Sequence, residues 1–280
     1  MSEAVQNPNC VIAVRGFGTR EEQRKTVALR YLTFRKFVSM LELQAVWFSR
    51  LGALQDRFEA TLPVRVHARL KARDRKYAEQ LASDKDLLPR IQTMTERNVD
   101  GGRKMFAVNC WFLGEQESQK MWNEYGEEGN GVAVRSTVER LSLSFPKLGG
   151  LIQGSVIDRV KYVDFESHDM DEKEAINIDK TAFLKTNDKL DEQEVRILTP
   201  NICFNTDGIS IKQDQFTQKG LYVECLLQKL IQAVIVGPRA ESHFFALIER
   251  LVSRYQLCVD VEKSQLPNLA INLKPSNLPT

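Results

Sequence analysis

This chain predicts an α+β fold, one mixed sheet with helices interspersed in a single domain, and three observations carry that expectation. Strand-like and helix-like segments follow one another without a regular βαβ period, which disfavours a doubly wound sheet. The 280 residues, 42% of them hydrophobic and 27% charged, suffice for one substantial core. No apolar run approaches the roughly 18 residues that cross a bilayer, so no membrane contact is expected. Met1 to Cys10 lacks the basic-then-apolar order of a secretory leader, which makes cytoplasmic placement the expectation.

Residues 1–24 read as loosely ordered, with an edge strand at Val11 to Val14. The single domain is expected over 25–265, with a tail over 266–280. Thr26 to Leu32 reads as a strand. Thr33 then caps a helix whose Phe34, Phe37, Val38 and Leu41 follow i, i+3, i+4, i+7 spacing. Ala45 to Ser49 is a second strand. Residues 64–98 form a charged helical stretch, closed by the turn signal Asp100-Gly101-Gly102. Phe106 to Phe112, almost free of charge, reads as a central strand.

A helix over Glu115 to Tyr125 ends at Gly129-Asn130-Gly131. Val132 to Arg135 is a strand, Thr137 to Phe145 a helix, and Ile152 to Val163 one long strand. The acidic stretch 164–190 is loop with some helix. Val195 to Leu198 is a strand, Leu226 to Ile231 a short helix and Ala233 to Val236 a strand broken by Gly237-Pro238. Helix 241–255 buries Phe244, Phe245, Leu247, Ile248, Leu251 and Val252, and Leu257 to Val261 closes the sheet.

Net charge is only +2, which argues against wholesale binding to phosphate backbones, but the charge is unevenly spread. Arg65, Arg69, Lys71, Arg73, Arg75 and Lys76 crowd residues 65–76, whereas 164–194 carries eleven acidic and four basic groups. The plain reading is a solvated helix and loop; the functional one is a nucleic-acid contact through 65–76. Five scattered cysteines and three histidines offer no zinc spacing, so no metal is expected and most thiols read as reduced and buried. Phosphate-loop, zinc-protease and nucleophile-elbow motifs are absent.

Three constellations remain. Glu192, Glu194 and Arg196 would share one face of a strand, with Val195 and Ile197 on the other. That face is either a solvated ion-paired surface or a cleft floor with two carboxylates, one to stabilise positive charge and one to accept a proton. Asn109-Cys110-Trp111, with Trp122 beyond it, is either core or a surface for stacking on and orienting a flat ring. Cys110 itself, in an apolar strand, is a weak nucleophile candidate. Arg30-Tyr31, near Trp47 on the next strand, either pairs with a glutamate or clamps a phosphate.

These segments, in order, are where a family resemblance lies. R-Y-L-T-F-R-K-F-V-S-M-L-E from Arg30, V-W-F-S-R-L from Val46 and D-R-F-E from Asp56 open the series. V-N-C-W from Val108, E-S-x-x-M-W-x-x-Y from Glu117 and G-V-A-V-R-S-T from Gly131 continue it. F-L-K from Phe183, E-Q-E-V-R from Glu192 and L-I-Q-A-V-I-V-G-P from Leu230 complete it. Together, over roughly residues 29–265, they resemble the bacterial proteins grouped as domain of unknown function 2971.

The order of an early-strand arginine, a polar patch and a late E-x-E also resembles arginine-serine-glutamate ADP-ribosyltransferases. That resemblance implies NAD as substrate and a macromolecular acceptor, in a toxin or defence role. It also implies site roles. Arg30 would steady the dinucleotide phosphates, with Tyr31, Trp111, Trp122 and Arg196 around the cofactor and Asn109 in the polar patch. Glu194 would bind the nicotinamide ribose and stabilise its oxocarbenium-like state, and Glu192 would orient or deprotonate the acceptor. The class expects serine-threonine-serine where this chain has Asn109-Cys110-Trp111. The rival expectation is a non-enzymatic module that binds nucleic acid or protein.

Overall fold

A computed structural model describes residues 12–81, 88–146, 155–200, 204–205, 208–209 and 219–267. Its strands are β1 (Ala13–Val14), β2 (Val27–Leu32), β3 (Ala45–Arg50), β4 (Phe106–Leu113), β5 (Val132–Thr137), β6 (Val156–Arg159) and β7 (Lys161–Val163). They continue with β8 (Leu184–Thr186), β9 (Glu194–Pro200), β10 (Phe204–Asn205), β11 (Gly208–Ile209), β12 (Gly220–Glu224), β13 (Ala233–Val236) and β14 (Asp260–Lys263). The helices are α1 (Arg20–Lys25), α2 (Phe34–Leu43), α3 (Val64–Gln80), α4 (Leu88–Gln92), α5 (Met94–Met105) and α6 (Gln119–Tyr125). After them come α7 (Val138–Leu143), α8 (Glu172–Ala175), α9 (Ile178–Thr181), α10 (Leu227–Leu230) and α11 (Ser242–Arg254).

One mixed ten-stranded sheet organises the domain, so the fold is α+β as expected. Its main path runs β1-β6-β9-β4-β2-β5-β13-β14, and the β3–β12 ribbon branches off β4. The branch arises because two strands share one edge of β4. β2 pairs with β4 at Ala28↔Leu113 and Leu29↔Phe112, while β3 pairs with it at Ser49↔Val108 and Arg50↔Ala107. Between these contacts β2 and β3 diverge, leaving a fork beside Asn109, Cys110 and Trp111.

Alternation and register sort every strand residue onto one of two faces. The front carries Val108, Cys110 and Phe112 of β4 with Glu194, Arg196 and Leu198 of β9. The back carries Asn109 and Trp111 with Val195 and Ile197. Behind lies the larger core, where Phe37, Leu41, Leu141, Leu230, Ile248 and Val252 of α2, α7, α10 and α11 pack on the sheet. In front, α6 covers one side through Trp122 against Tyr31 and Phe112. Leu51 to Ala60, α9 and Phe183 cover the other. Burial of this kind is worth about 1.5–3 kcal/mol per large apolar side chain.

Several expectations need correction. Ile12 to Lys25 is ordered: Phe17 is buried, and a Thr19/Glu22 capping box starts α1. Val11, Ile152 to Gly154 and most of the C-terminal tail lie outside the described residues. Asp100-Gly101-Gly102 is no turn but part of α5. A Cβ on Gly102 would come within 2.7 Å of Ile178 Cδ1, so glycine there allows close packing instead of marking a stop.

The stretch to Val163 is two strands, because the chain leaves the main sheet at Val160, whose N–H donates to Glu194 O at 2.9 Å. β7 then pairs with β8 in a small sheet of its own. Leu247 faces outward at 39% exposure, so the inner stripe of α11 centres on Ile248 and Val252.

Candidate functional site at the strand fork

The front of β9 holds the densest group of charges in the domain. Arg196 is fully buried and donates to Glu59, to Ala182 O at 2.5 Å and to Glu194 Oε2 at 3.0 Å. Lys185 bridges Glu192 and Glu194, the latter at 3.0 Å. Formally, three carboxylates face two cations, which leaves one net negative charge. All five groups are buried. Their spacing in the chain shows how the site is built: D-R-F-E supplies Glu59, F-L-K supplies Lys185 and E-Q-E-V-R supplies the rest. Three distant segments of the resemblance thus meet in one cluster. The sequence reading quoted Glu59 and Lys185 within motifs but assigned them no role.

Glu192 reaches the cluster by a different route from the one expected. β9 begins at Glu194, and Gln193 adopts a left-handed backbone with φ 38°, so strand alternation does not extend to Glu192. A 3-10 turn over Asn187–Glu192 delivers it to Lys185 instead.

Burial alone would raise the Glu194 carboxyl. The fields of Arg196 and Lys185 and the hydrogen bond from Arg196 overcome it, bringing the carboxyl down to about 2. The Cys110 thiol lies in hydrogen-bonding reach of this carboxylate. Burial, then the charge of Glu194, pushes the thiol well up, so Cys110 stays protonated and unreactive at neutral pH. Lys185 is raised: desolvation opposes its charge, but the surrounding carboxylates outweigh it.

Cys110 is less covered than its neighbours on the front face of β4. Its front-face neighbours Val108 and Phe112 are buried at 2% and 6% exposure, yet Cys110 is partly exposed. It sits between the α6 cover and the Leu51–Ala60 cover. Across the fork, two residues along from the Ser49↔Val108 pair, stands Trp47, also facing front. Trp47 is opposite the exposed Tyr222, edge to face at 5.0 Å, and donates from Nε1 to Ser49 Oγ at 3.1 Å. A Cβ on Gly220 would lie 2.5 Å from Trp47 Cζ2, so glycine there lets the indole lie against the ribbon. A row of Tyr222, Trp47, Cys110 and Arg196 therefore crosses the front, with Glu194 beside it.

The other predicted site residues divide between the two faces. Tyr31 and Trp122 face front but are packed away: Trp122 is fully buried and donates to Glu117 Oε2 at 2.8 Å, and Tyr31 Oη accepts from Ser118 N–H at 2.8 Å. They support the front instead of lining it. Arg30, Asn109 and Trp111 face back. Asn109 donates to Trp47 O at 2.8 Å and accepts from Trp111 Nε1 at 2.5 Å, which commits its amide. The expected grouping of Arg30, Asn109 and Glu194 around one ligand does not form, because a one-residue offset in a strand turns a side chain to the opposite face.

Two of the six bases in the stretch 65–76 are answered by the acidic stretch, and a third pairs elsewhere. On α3, Arg69 pairs with Asp169 at 2.7 Å, Lys71 with Glu96 at 2.6 Å, and Arg73 with Asp74 at 3.0 Å and Glu172 at 3.2 Å. Arg65, Arg75 and Lys76 remain exposed. Among the described residues no cluster of metal-ligating side chains occurs, and no helix is long and apolar enough to cross a membrane. No family model, no curated protein and no solved structure matches this chain.

Proposed function

We propose that the front of the fork binds a flat, positively charged ring, as in the nicotinamide of NAD, and that the protein is an NAD-using, ADP-ribosyltransferase-like enzyme with a macromolecular acceptor. One observation carries this reading: the Trp47–Tyr222 pair lies in the same row as Cys110, beside a carboxylate cluster with one surplus negative charge. Aromatic faces attract cations by about 0.5–2 kcal/mol, and fixed negative charge in a partly desolvated site adds to that attraction.

The chemistry follows from the charge. As the bond between ribose C1′ and the nicotinamide nitrogen breaks, the electron pair leaves with nicotinamide, which becomes neutral, and positive charge develops on the ribose. Glu194, ionised at every physiological pH, stabilises that charge without a proton transfer. Arg30 has no part in this step, since it faces back. Glu192 is held by Lys185, so deprotonation of the acceptor is not assigned to it.

Titrating NAD while following tryptophan fluorescence, with released nicotinamide quantified separately, tests the proposal. Saturable quenching that disappears in Trp47→Leu, together with nicotinamide release that disappears in Glu194→Gln, supports it. Neither signal in the wild-type protein, with any acceptor supplied, overturns it.

A further inference from the structure

Arg30 is a half-buried charge with no counter-charge among the described residues. Its Nη2 donates to Trp47 O at 3.1 Å, and its guanidinium stands 5.8 Å from the centre of the Trp111 ring. Nη1 is sealed from solvent and has no hydrogen-bond partner. No carboxylate pairs with it among the described residues. Arg196 makes the contrast plain: it is fully buried and held by Glu59 and Glu194, whereas Arg30 is half-buried with its sealed Nη1 unmatched. Buried guanidinium groups are ordinarily paired, because stranding one costs several kcal/mol. Burial without a counter-charge also lowers the Arg30 guanidinium to about 10.

The place is as unusual as the charge. Arg30 stands where β2 and β3 part, beside the three β4 residues, Asn109 to Trp111, that have no ladder partner on that edge. A sheet interior rarely leaves strand unpaired, and an unpaired stretch is where a small ligand can enter between strands. The polar groups nearby are already committed: the Asn109 amide spans Trp47 O and Trp111 Nε1, and Cys225 is a buried thiol. What the surroundings of Nη1 lack, among the described residues, is an acceptor with negative charge.

We infer that the back of the fork is a site for a small oxyanion, a phosphate or carboxylate group, bound to Nη1 of Arg30 and separate from the ring-binding front. The guanidinium presents a forked donor suited to such groups, and the Trp111 face beside it favours a compact ligand. An anion on Nη1 fixes the guanidinium whose Nη2 donates to the Trp47 carbonyl, and so stiffens the tie between β2 and the strand that carries Trp47. Occupancy of the back then favours an ordered front.

Full-length protein in a phosphate-free buffer is titrated with inorganic phosphate and, separately, with acetate. Ionic strength is held constant with chloride, and melting temperature and 31P line width are recorded. Saturable broadening of the 31P line and a rise in melting temperature are expected for wild-type protein. At least a tenfold loss of affinity is expected in Arg30→Met and a smaller loss in Arg30→Lys. A response to phosphate alone assigns a phosphate site, and a response to both assigns a general oxyanion site. No response of the wild-type protein to either anion overturns the inference, as does a response undiminished in both variants. If Arg30→Met does not fold, the wild-type titration and Arg30→Lys still decide. Fluorescence titration with NAD reports the front independently, so failure of one site does not mask the other.

Discussion

Replacing Glu194 with glutamine separates charge from shape in the buried cluster. The carboxyl titrates at about 2 in the fold against an ordinary value of 4.5, because Arg196 and Lys185 outweigh its burial. At 1.36 kcal/mol per pH unit, ionised Glu194 contributes about 3 kcal/mol to folding. The folded value is depressed, so this contribution is complete above about pH 5 and drains away as the pH falls toward 2. Glutamine keeps the shape and an acceptor oxygen but loses the charge. Arg196 still has Glu59 and Lys185 still has Glu192, so neither cation is stranded.

Urea unfolding of wild type and Glu194→Gln at pH 7, 5, 4 and 3 reads the difference, in which the titration of carboxylates remote from the cluster cancels. The gap should be about 3 kcal/mol at pH 7, hold to pH 5, and close steadily below it. A gap that stays constant down to pH 3 would mean that the loss comes from packing. No gap at pH 7 would mean that Glu194 is not ion-paired as described.

Arg196→Met strands Glu59 and should cost about 3–5 kcal/mol; adding Glu59→Gln should recover part of it, giving a clear coupling energy in a double-mutant cycle. Gly220→Ala forces a Cβ against Phe48 O and the Trp47 ring. It should destabilise by about 1–3 kcal/mol in urea unfolding and increase acrylamide quenching of tryptophan fluorescence. Asp169→Asn with Glu172→Gln removes the carboxylate partner of Arg69 and one of the two on Arg73, both on α3. Wild type should show little retention on immobilised double-stranded DNA at 150 mM salt, and the double variant a salt-dependent gain.

How far the sequence could be read depended on whether a rule acts within one element or between two. Within β9, alternation correctly placed Glu194 and Arg196 on one face and Val195 and Ile197 on the other. Thr33 as a cap and Phe37 and Leu41 as the buried stripe of α2 were equally legible. Alternation failed at Glu192 because it assumed extended backbone, and Gln193 is left-handed. It could not place Arg30 relative to Glu194, because that depends on the register of β2 on β4 and of β4 on β9. β12, the ribbon strand that carries Tyr222, was missed. Its Leu221-Tyr222-Val223 core is short and becomes a strand only by pairing with β3. Gly102 misled for a related reason, since its function is contact with Ile178, far along the chain.

The charges teach the same lesson from the other side. In sequence, the basic run 65–76 and the acidic run 164–194 were the most conspicuous departures from an even distribution, and each invited a partner. In the fold they answer each other in part, through Arg69 with Asp169 and Arg73 with Glu172. A local excess of charge therefore says little about ligands until its spatial complement has been found. Arg30 is the reverse case: the sequence leaves open whether it pairs with a glutamate or clamps a phosphate, and no carboxylate meets it among the described residues. Glu194 lies between these extremes. It is matched by two cations, yet it belongs to a cluster with one carboxylate more than its cations can neutralise. Both sites proposed for this domain therefore start from residuals left among the described residues once their pairings are made: a surplus negative charge in front of the fork and a guanidinium without a counter-charge behind it.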